Sequence, residues 1–587
     1  MPAPDKRPRC SGGGSLIVPI TMRPRSTVRF GAACLASALL AAAALAQAPS
    51  SQGPVSQGEE ATTAAPRDCR SVAEAEAKAA SLDRDPRNAV RAVEIARACH
   101  HHPAAWQAAE RLRELDPENV EALRLVGSVA LEAWRIDAAR QVYAELLAKP
   151  DVEPERALAE LLPELAEGDT MVGAWAVFKS LLDRSSLSAR HLMTLARIAC
   201  DVDDLAACRE LIDAARAKGG GNDARSIRLS AATSAALGDE PRALEEASLL
   251  VQGDPQNHRF ARIETLVSLD RLDEARQELL AIEAGTADPD ASAQQRDQFK
   301  AEADRRLALL ALGSGDAAEA ERRFTARLSA DRGAGEAVYY LAIIAEREGR
   351  KDVALQGYQR LVRAGAGLPA RARAAHLLLE TGDRAAAMKL FDDLLGQART
   401  DAIEIELARS RALASASLPE EALAAVDAAL QRFPSHPELL YQRAVLLDSS
   451  GRSREGIAVF EQLLVMRPGD PNISNALGYT MADRKRQLPR AEALIREALV
   501  LRPDNAAFLD SLGWARYRRG DRASALPVLE RAWRLSREPE IAAHWGEVLW
   551  RNGERDRARA VWARALLLAP DSKPLRETIE RFADRRR

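Results

Sequence analysis

Apolar residues recur at three- and four-residue spacing over stretches of about a dozen residues, and short corners rich in Gly, Asp and Pro separate the stretches. That period predicts amphipathic helices, and the short corners predict that consecutive helices lie antiparallel. Residues 507–537 show the pattern most clearly. One helix runs through FLDSLGWARYRR, Gly520-Asp521 turn the corner, and a second helix runs through ASALPVLERAWRLS. Leu509, Leu512 and Gly513 share one face of the first helix, and Ala525, Leu529 and Ala532 share the opposing face of the second. Gly513 and Ala525 are small because two backbones approach there, and a larger side chain would separate them.

The small position of the second helix recurs as Ala105, Ala139, Gly173, Ala207, Ala243, Ala275, Ala320, Ala354, Ala387, Ala422, Gly456, Ala491, Ala525 and Ala558. Intervals run from 32 to 36 residues, except for the longer step from Ala275 to Ala320. A period near 34 predicts a solenoid of helical hairpins, each burying its apolar face against its neighbours. Turn glycines precede the small residue by five at Gly168, Gly238, Gly315, Gly349, Gly382, Gly451, Gly520 and Gly553. Prolines end second helices at Pro117, Pro434, Pro468, Pro503 and Pro570.

Leu477-Gly478, Ala491, Ala498-Leu499 and Pro503, and again Trp545-Gly546, Gly553, Ala558, Ala565 and Pro570, resemble the tetratricopeptide repeat. The resemblance runs from about Arg87 to Pro570 and is strongest after Ala320. It implies an all-α, right-handed superhelical solenoid of about fourteen hairpins, whose first helices line a concave groove that holds peptides or protein segments. The expected organisation is a leader with a signal peptide (1–48), a disordered linker (49–66), a degenerate arm (67–285), an insertion loop (286–299), a regular arm (300–570) and a polar capping helix (571–587). More narrowly, the run from NALGYTMADRKRQ to RDRARAVW resembles large exported tetratricopeptide proteins of proteobacteria. Some of those are lipoproteins that partner a periplasmic carboxyl-terminal processing protease and bring it cell-wall hydrolases.

Charge and cysteines bear on location. The net charge is −3, and the first 48 residues are basic, so the remainder is more acidic still. An acidic surface argues against nucleic acid as partner. Arg23, Arg25 and Arg29 precede an Ala/Leu-rich run from Phe30 to Leu45 and A-x-A sites ending at Ala46 and Ala48, which predicts export to the periplasm with cleavage near one of them. Either Met1 or Met22 can serve as the start. Cys34 lies inside the run from Phe30 to Leu45 with the apolar core after it, where a lipoprotein signal would place the core before, so an outer-membrane lipid anchor is not expected. Cys69, Cys99, Cys200 and Cys208 remain. Sequential pairing suits hairpin geometry best among the three possible connectivities, and four buried free thiols are the alternative.

If Leu512-Gly513 face the core, the next stripe of each first helix faces the groove. That stripe nominates Tyr339, His376, Arg411, Tyr441, Tyr479, Asp510, Trp514, Tyr517, Arg518, Glu547 and Trp550 as partner-binding residues. Aromatic rings beside charges suit an extended peptide. Trp545 and Trp562 fall on core positions. His100-His101-His102 lacks companion ligands and reads as a surface turn, so neither metal nor cofactor is expected. Lys and Asn do not recur at the groove positions where a clamp for a peptide's terminal carboxylate needs them. No motif for a nucleophile, phosphate loop or zinc hydrolase appears, so the sequence predicts a non-enzymatic adaptor. A scaffold subunit of a polysaccharide or protein export assembly is the alternative.

Overall fold

The computed structural model describes residues 69–153, 157, 170–285, 291–330, 334–397, 402–570 and 572–583. The leader, its export signal and the linker 49–66 lie outside the described residues. Every regular element within them is helical. Among the described residues, no helix is long and apolar enough to cross a membrane.

The repeat grammar maps directly onto hairpins. Helices Pro471–Asp483 and Leu488–Leu501 form one, Ala506–Arg518 and Arg522–Leu535 the next, and Pro539–Arg551 and Arg555–Leu568 the last. Asp470, Asn505 and Asp521 cap helix starts by accepting backbone N–H groups, and Pro471 and Pro539 occupy first turns, where a missing N–H costs nothing. Gly520 closes its corner at φ 96°, a left-handed conformation that a side chain would strain. All fourteen small residues of the ladder are buried in the first turns of second helices. A Cβ added at Gly478 would lie 2.7 Å from the Ala491 carbonyl oxygen, so the facing helices permit nothing larger than hydrogen.

One expectation changes. The segment 286–299 is not wholly a loop: residues 286–290 lie outside the described set, but Ala293–Ser314 is a single 22-residue helix opened by a Ser292–Gln295 capping box. The polar residues after Ser292 therefore lengthen a first helix by about two turns instead of looping out. The cap is Lys573–Ala583, and it buries Leu575 and Phe582 against the last hairpin.

The cysteines pair sequentially. Cys69–Cys99 ties the helix Cys69–Leu82 to the end of Pro86–Ala98, and Cys200–Cys208 spans one hairpin corner, with Cα separations of 5.5 and 5.3 Å.

The early and late hairpins do not diverge as two arms. They touch edge to edge, and one apolar core contains residues from Ala73 to Leu229 together with residues from Leu509 to Phe582. Corners of early hairpins meet the linkers and second helices of late ones in matching order. His100 lies 4.8 Å from His436 ring to ring. Trp134 receives the Arg467 guanidinium on its face and abuts Gly469. Asp203 accepts from Arg502 Nε and Asn505 Nδ2, each at 3.0 Å, and its carbonyl accepts from the Asp504 N–H. Asp504 in turn accepts from the Leu205 N–H at 3.0 Å. Arg564 pairs with Asp270 at 2.5 Å.

These corners also explain a departure from the repeat. His100, Trp134, Asp203 and Asp270 hold φ between 51° and 62°, which costs a non-glycine residue about 1–2 kcal/mol. Each supplies the side chain that touches the late hairpins, which glycine could not. Ser417 and Lys485 adopt the same conformation at other corners.

Candidate functional site

Three successive first helices, Pro471–Asp483, Ala506–Arg518 and Pro539–Arg551, pack side by side. Gly478, Gly513 and Gly546 press against their second helices; a Cβ at Gly513 would come within 2.5 Å of Leu529 Cγ. That contact fixes the rotation of each helix and turns the opposite stripe toward its neighbours. The stripe reads Asn475, Asp510, His544 at one repeat step, then Tyr479 and Trp514 a turn later, then Asp483 and Arg518.

The stripe is knitted across helices. His544 Nδ1 donates to Asp510 Oδ2 at 2.8 Å. Trp514 stacks on the His544 ring at 4.1 Å, and its indole N–H donates to Asp483 Oδ1 at 3.2 Å. Arg518 covers the other part of the Trp514 ring and reaches the Asp483 carbonyl. The Tyr479 ring lies 6.1 Å from His544. Tyr517 donates to Glu547 Oε1 at 2.9 Å, and Arg581 of the cap reaches Glu547 from beyond.

Side-chain neighbours fill more of this wall than the sequence predicts. Trp514, expected to project into the groove, is 5% exposed, because the helices sit close enough for His544 and Arg518 to cover it. Tyr479, Asp510 and Glu547 are buried as well, whereas Tyr517 and Arg518 keep partial exposure. Tyr441 packs edge-on against Phe460 inside the core. Trp550 stacks with Trp562 and Phe582, so its ring seats the cap. Tyr339 belongs to a separate ring cluster with Tyr340 and Tyr358. His376 lies beside Glu380, and Arg411 is half-buried between Glu404 and Glu438. The structure thus unites Tyr479, Asp510, Trp514, Tyr517, Arg518 and Glu547, and leaves the other nominated residues apart from them.

Polar satisfaction within the cluster is incomplete. Asn475 Oδ1, Tyr479 Oη and Asp510 Oδ1 are buried without a hydrogen-bond partner among the described residues. Each costs about 1–3 kcal/mol, so three in one stripe are a substantial debit. Electrostatics adds to it. Burial, and then the carboxylates of Asp483, Asp510, Glu540 and Asp448, raise the Tyr479 hydroxyl well above its usual range. Burial pushes Glu540 up to about 8; His544 pulls it down, and Glu538 and Asp510 push it further up. His544 is lowered by burial, yet the charge and hydrogen bond of Asp510 raise it on balance. Sequence reasoning missed His544 and Glu540. His544 stands 34 residues beyond Asp510, so stepping the stripe by one repeat reaches it.

Elsewhere, His101 caps the helix His102–Leu115 and His100 rests on His436, so the histidine run serves a corner and a contact between hairpins. Among the described residues, no cluster of His, Cys, Asp and Glu is arranged to hold a metal ion.

The chain is similar to TPR repeat-containing protein PA4667 of Pseudomonas aeruginosa, at 32% identity over 213 residues that cover 36% of this chain and about a third (35%) of that protein. Among solved structures it is similar to TTC0263, a thermophilic TPR protein of Thermus thermophilus (25% identity, 31% of this chain and 97% of that one, TM-score 0.28). It is also similar to yeast Tom70 (15% identity, 80% and 96%, TM-score 0.35). Overlays this loose carry no weight beyond the helical-repeat pattern already described. Residues 305–369, 407–471 and 441–506 match the Tetratricopeptide repeat family model. The chain therefore carries tetratricopeptide repeats within residues 305–369 and 407–506.

Proposed function

We propose that this chain is a non-enzymatic periplasmic adaptor that holds a segment of a partner protein against the stripe Asn475–His544 and presents it to an envelope protease of the carboxyl-terminal processing type. The carrying observation is the set of buried polar atoms, Asn475 Oδ1, Tyr479 Oη and Asp510 Oδ1, that have no hydrogen-bond partner among the described residues. A bound segment supplies the missing hydrogen bonds. Both disulfides accord with an oxidising compartment, as the basic and apolar leader does. Cell-wall hydrolases are the cargo that the resemblance to exported adaptors nominates.

A photo-crosslinking amino acid placed in intact cells tests the reading. At Tyr517, beside the stripe, it should give adducts that mass spectrometry identifies as the protease or a hydrolase. At Val500, 80% exposed on a second helix, it should not. Adducts from Val500 alone, or none from Tyr517, overturn the assignment.

A further inference from the structure

We infer that the stripe holds a subsite for one cationic side chain, lysine or arginine, of the bound segment, clasped between Tyr479, Asp510 and Glu540. This rests on the adaptor reading and names what the groove selects.

The three unpartnered atoms share one hydrogen-bonding character. Asn475 Oδ1 and Asp510 Oδ1 only accept, and the Tyr479 hydroxyl offers lone pairs on the same stripe. All three side chains are more than nine-tenths buried. A guest that completes the set must carry several N–H donors on one small centre, as an ammonium or guanidinium does. A neutral amide brings an acceptor into a site already rich in them.

Charge selects in the same direction. Most acids of the wall have cations of their own: Asp448 has Arg484, Asp483 has Arg518 3.8 Å away, and Asp510 has His544. Glu540 makes no ion pair among the described residues, and it is half-buried one turn before His544 on the same helix. The groups facing Glu540 are His544, Glu538 and Asp510, with Tyr479 beyond them. An entering cation draws the proton off Glu540 and pairs with the carboxylate that is left. Trp514 and the Tyr479 ring flank His544 and give the aliphatic stem an aromatic wall.

The probes are acetylated, amidated dodecapeptides of Ala and Gln with one central lysine, arginine, norleucine or glutamine. Binding is read by calorimetry on the full chain at pH 7 in two buffers of different ionisation enthalpy. The lysine or arginine peptide should bind about tenfold or more tightly than norleucine and glutamine. Its heat should vary with the buffer in the sense of proton release, because Glu540 is raised in the free protein and a bound cation lowers it. Tyr479→Phe should weaken the cationic peptide several-fold, by roughly the value of one hydrogen bond to a charged group. The same variant should melt no lower than the parent, since it deletes a hydroxyl that pairs with nothing in the free protein. A purely structural tyrosine would not separate the two readouts.

Equal affinity for norleucine and lysine, a buffer-independent heat, or no binding of either cationic peptide overturns the inference. Retained crosslinks from Tyr517 alongside any of those results leave the adaptor reading standing. Loss of the crosslinks removes both.

Discussion

Gly469→Ala isolates the contact between early and late hairpins. Gly469 lies in a linker at ordinary φ, so alanine fits its backbone. In a free linker the change would stabilise the chain by about 0.4–1 kcal/mol, by restricting the unfolded state. Here the new Cβ would stand 2.6 Å from the Trp134 carbonyl oxygen and 3.4 Å from Ile136 Cγ1. The first distance is about 0.8 Å inside ordinary contact, and its partner is backbone held at positive φ. Neither side can rotate away, so the linker and the corner must part. Overpacking of this kind costs about 1–3 kcal/mol, which reverses the sign expected of a free linker. Urea unfolding of the full chain measures it, and Gly396→Ala, whose Cβ would meet nothing within 4 Å, is the control. Hydrogen exchange should rise at 133–136 and 467–470 in the first variant only. A Gly469→Ala protein as stable as the parent, or more stable, refutes the closure.

Other consequences are equally direct. Asp504→Ala strips Arg531 of its carboxylate and leaves the Leu205 N–H unpaired, so unfolding free energy should fall by about 2–3 kcal/mol; a loss under half that would place the carboxylate in water. The native state holds protons on His544, raised by Asp510, and on Glu540 up to about 8, whereas the unfolded chain releases both earlier. Stability is therefore greatest below the ordinary values of those groups and declines as pH rises through their raised ones. Glu540→Gln should flatten the melting profile between pH 5 and 8, and an unchanged slope would remove Glu540 from that account. Serine in place of Cys69 and Cys99, which lie 30 residues apart, should cost about 3–4 kcal/mol. The same exchange at Cys200 and Cys208, only 8 apart, should cost about 2–3 kcal/mol, and the reverse order would exclude loop entropy as the cause.

The hairpins were legible because close helix packing leaves a mark on sequence: Gly478, Gly513 and Ala525 are small where backbones meet, and they recur. The disulfides followed from corner geometry. Groove exposure was not legible, since it depends on how tightly successive first helices curve, and no single hairpin encodes that. Trp514 and Tyr441 look alike in sequence as groove aromatics, yet one lies under His544 and the other against Phe460. The closure was legible in part. Glycine is missing from the corners at His100, Trp134 and Asp270, five residues before Ala105, Ala139 and Ala275, and those side chains reach the late hairpins. The partners of those corners could not be read, because nothing in a 34-residue period says which hairpin returns to touch the first.

The Asp203–Asp504 contacts also bear on how the molecule comes to be folded. A hairpin closes from residues a few tens of positions apart, so each completes as soon as its own sequence is available. Leu205 and Asp504 are 299 positions apart, and the early corners find their linkers only once the late hairpins, from His436 onward, exist. Folding should therefore run in two regimes, fast local pairing followed by one slow closure of high contact order. Gly469→Ala should slow that second phase and leave the first untouched.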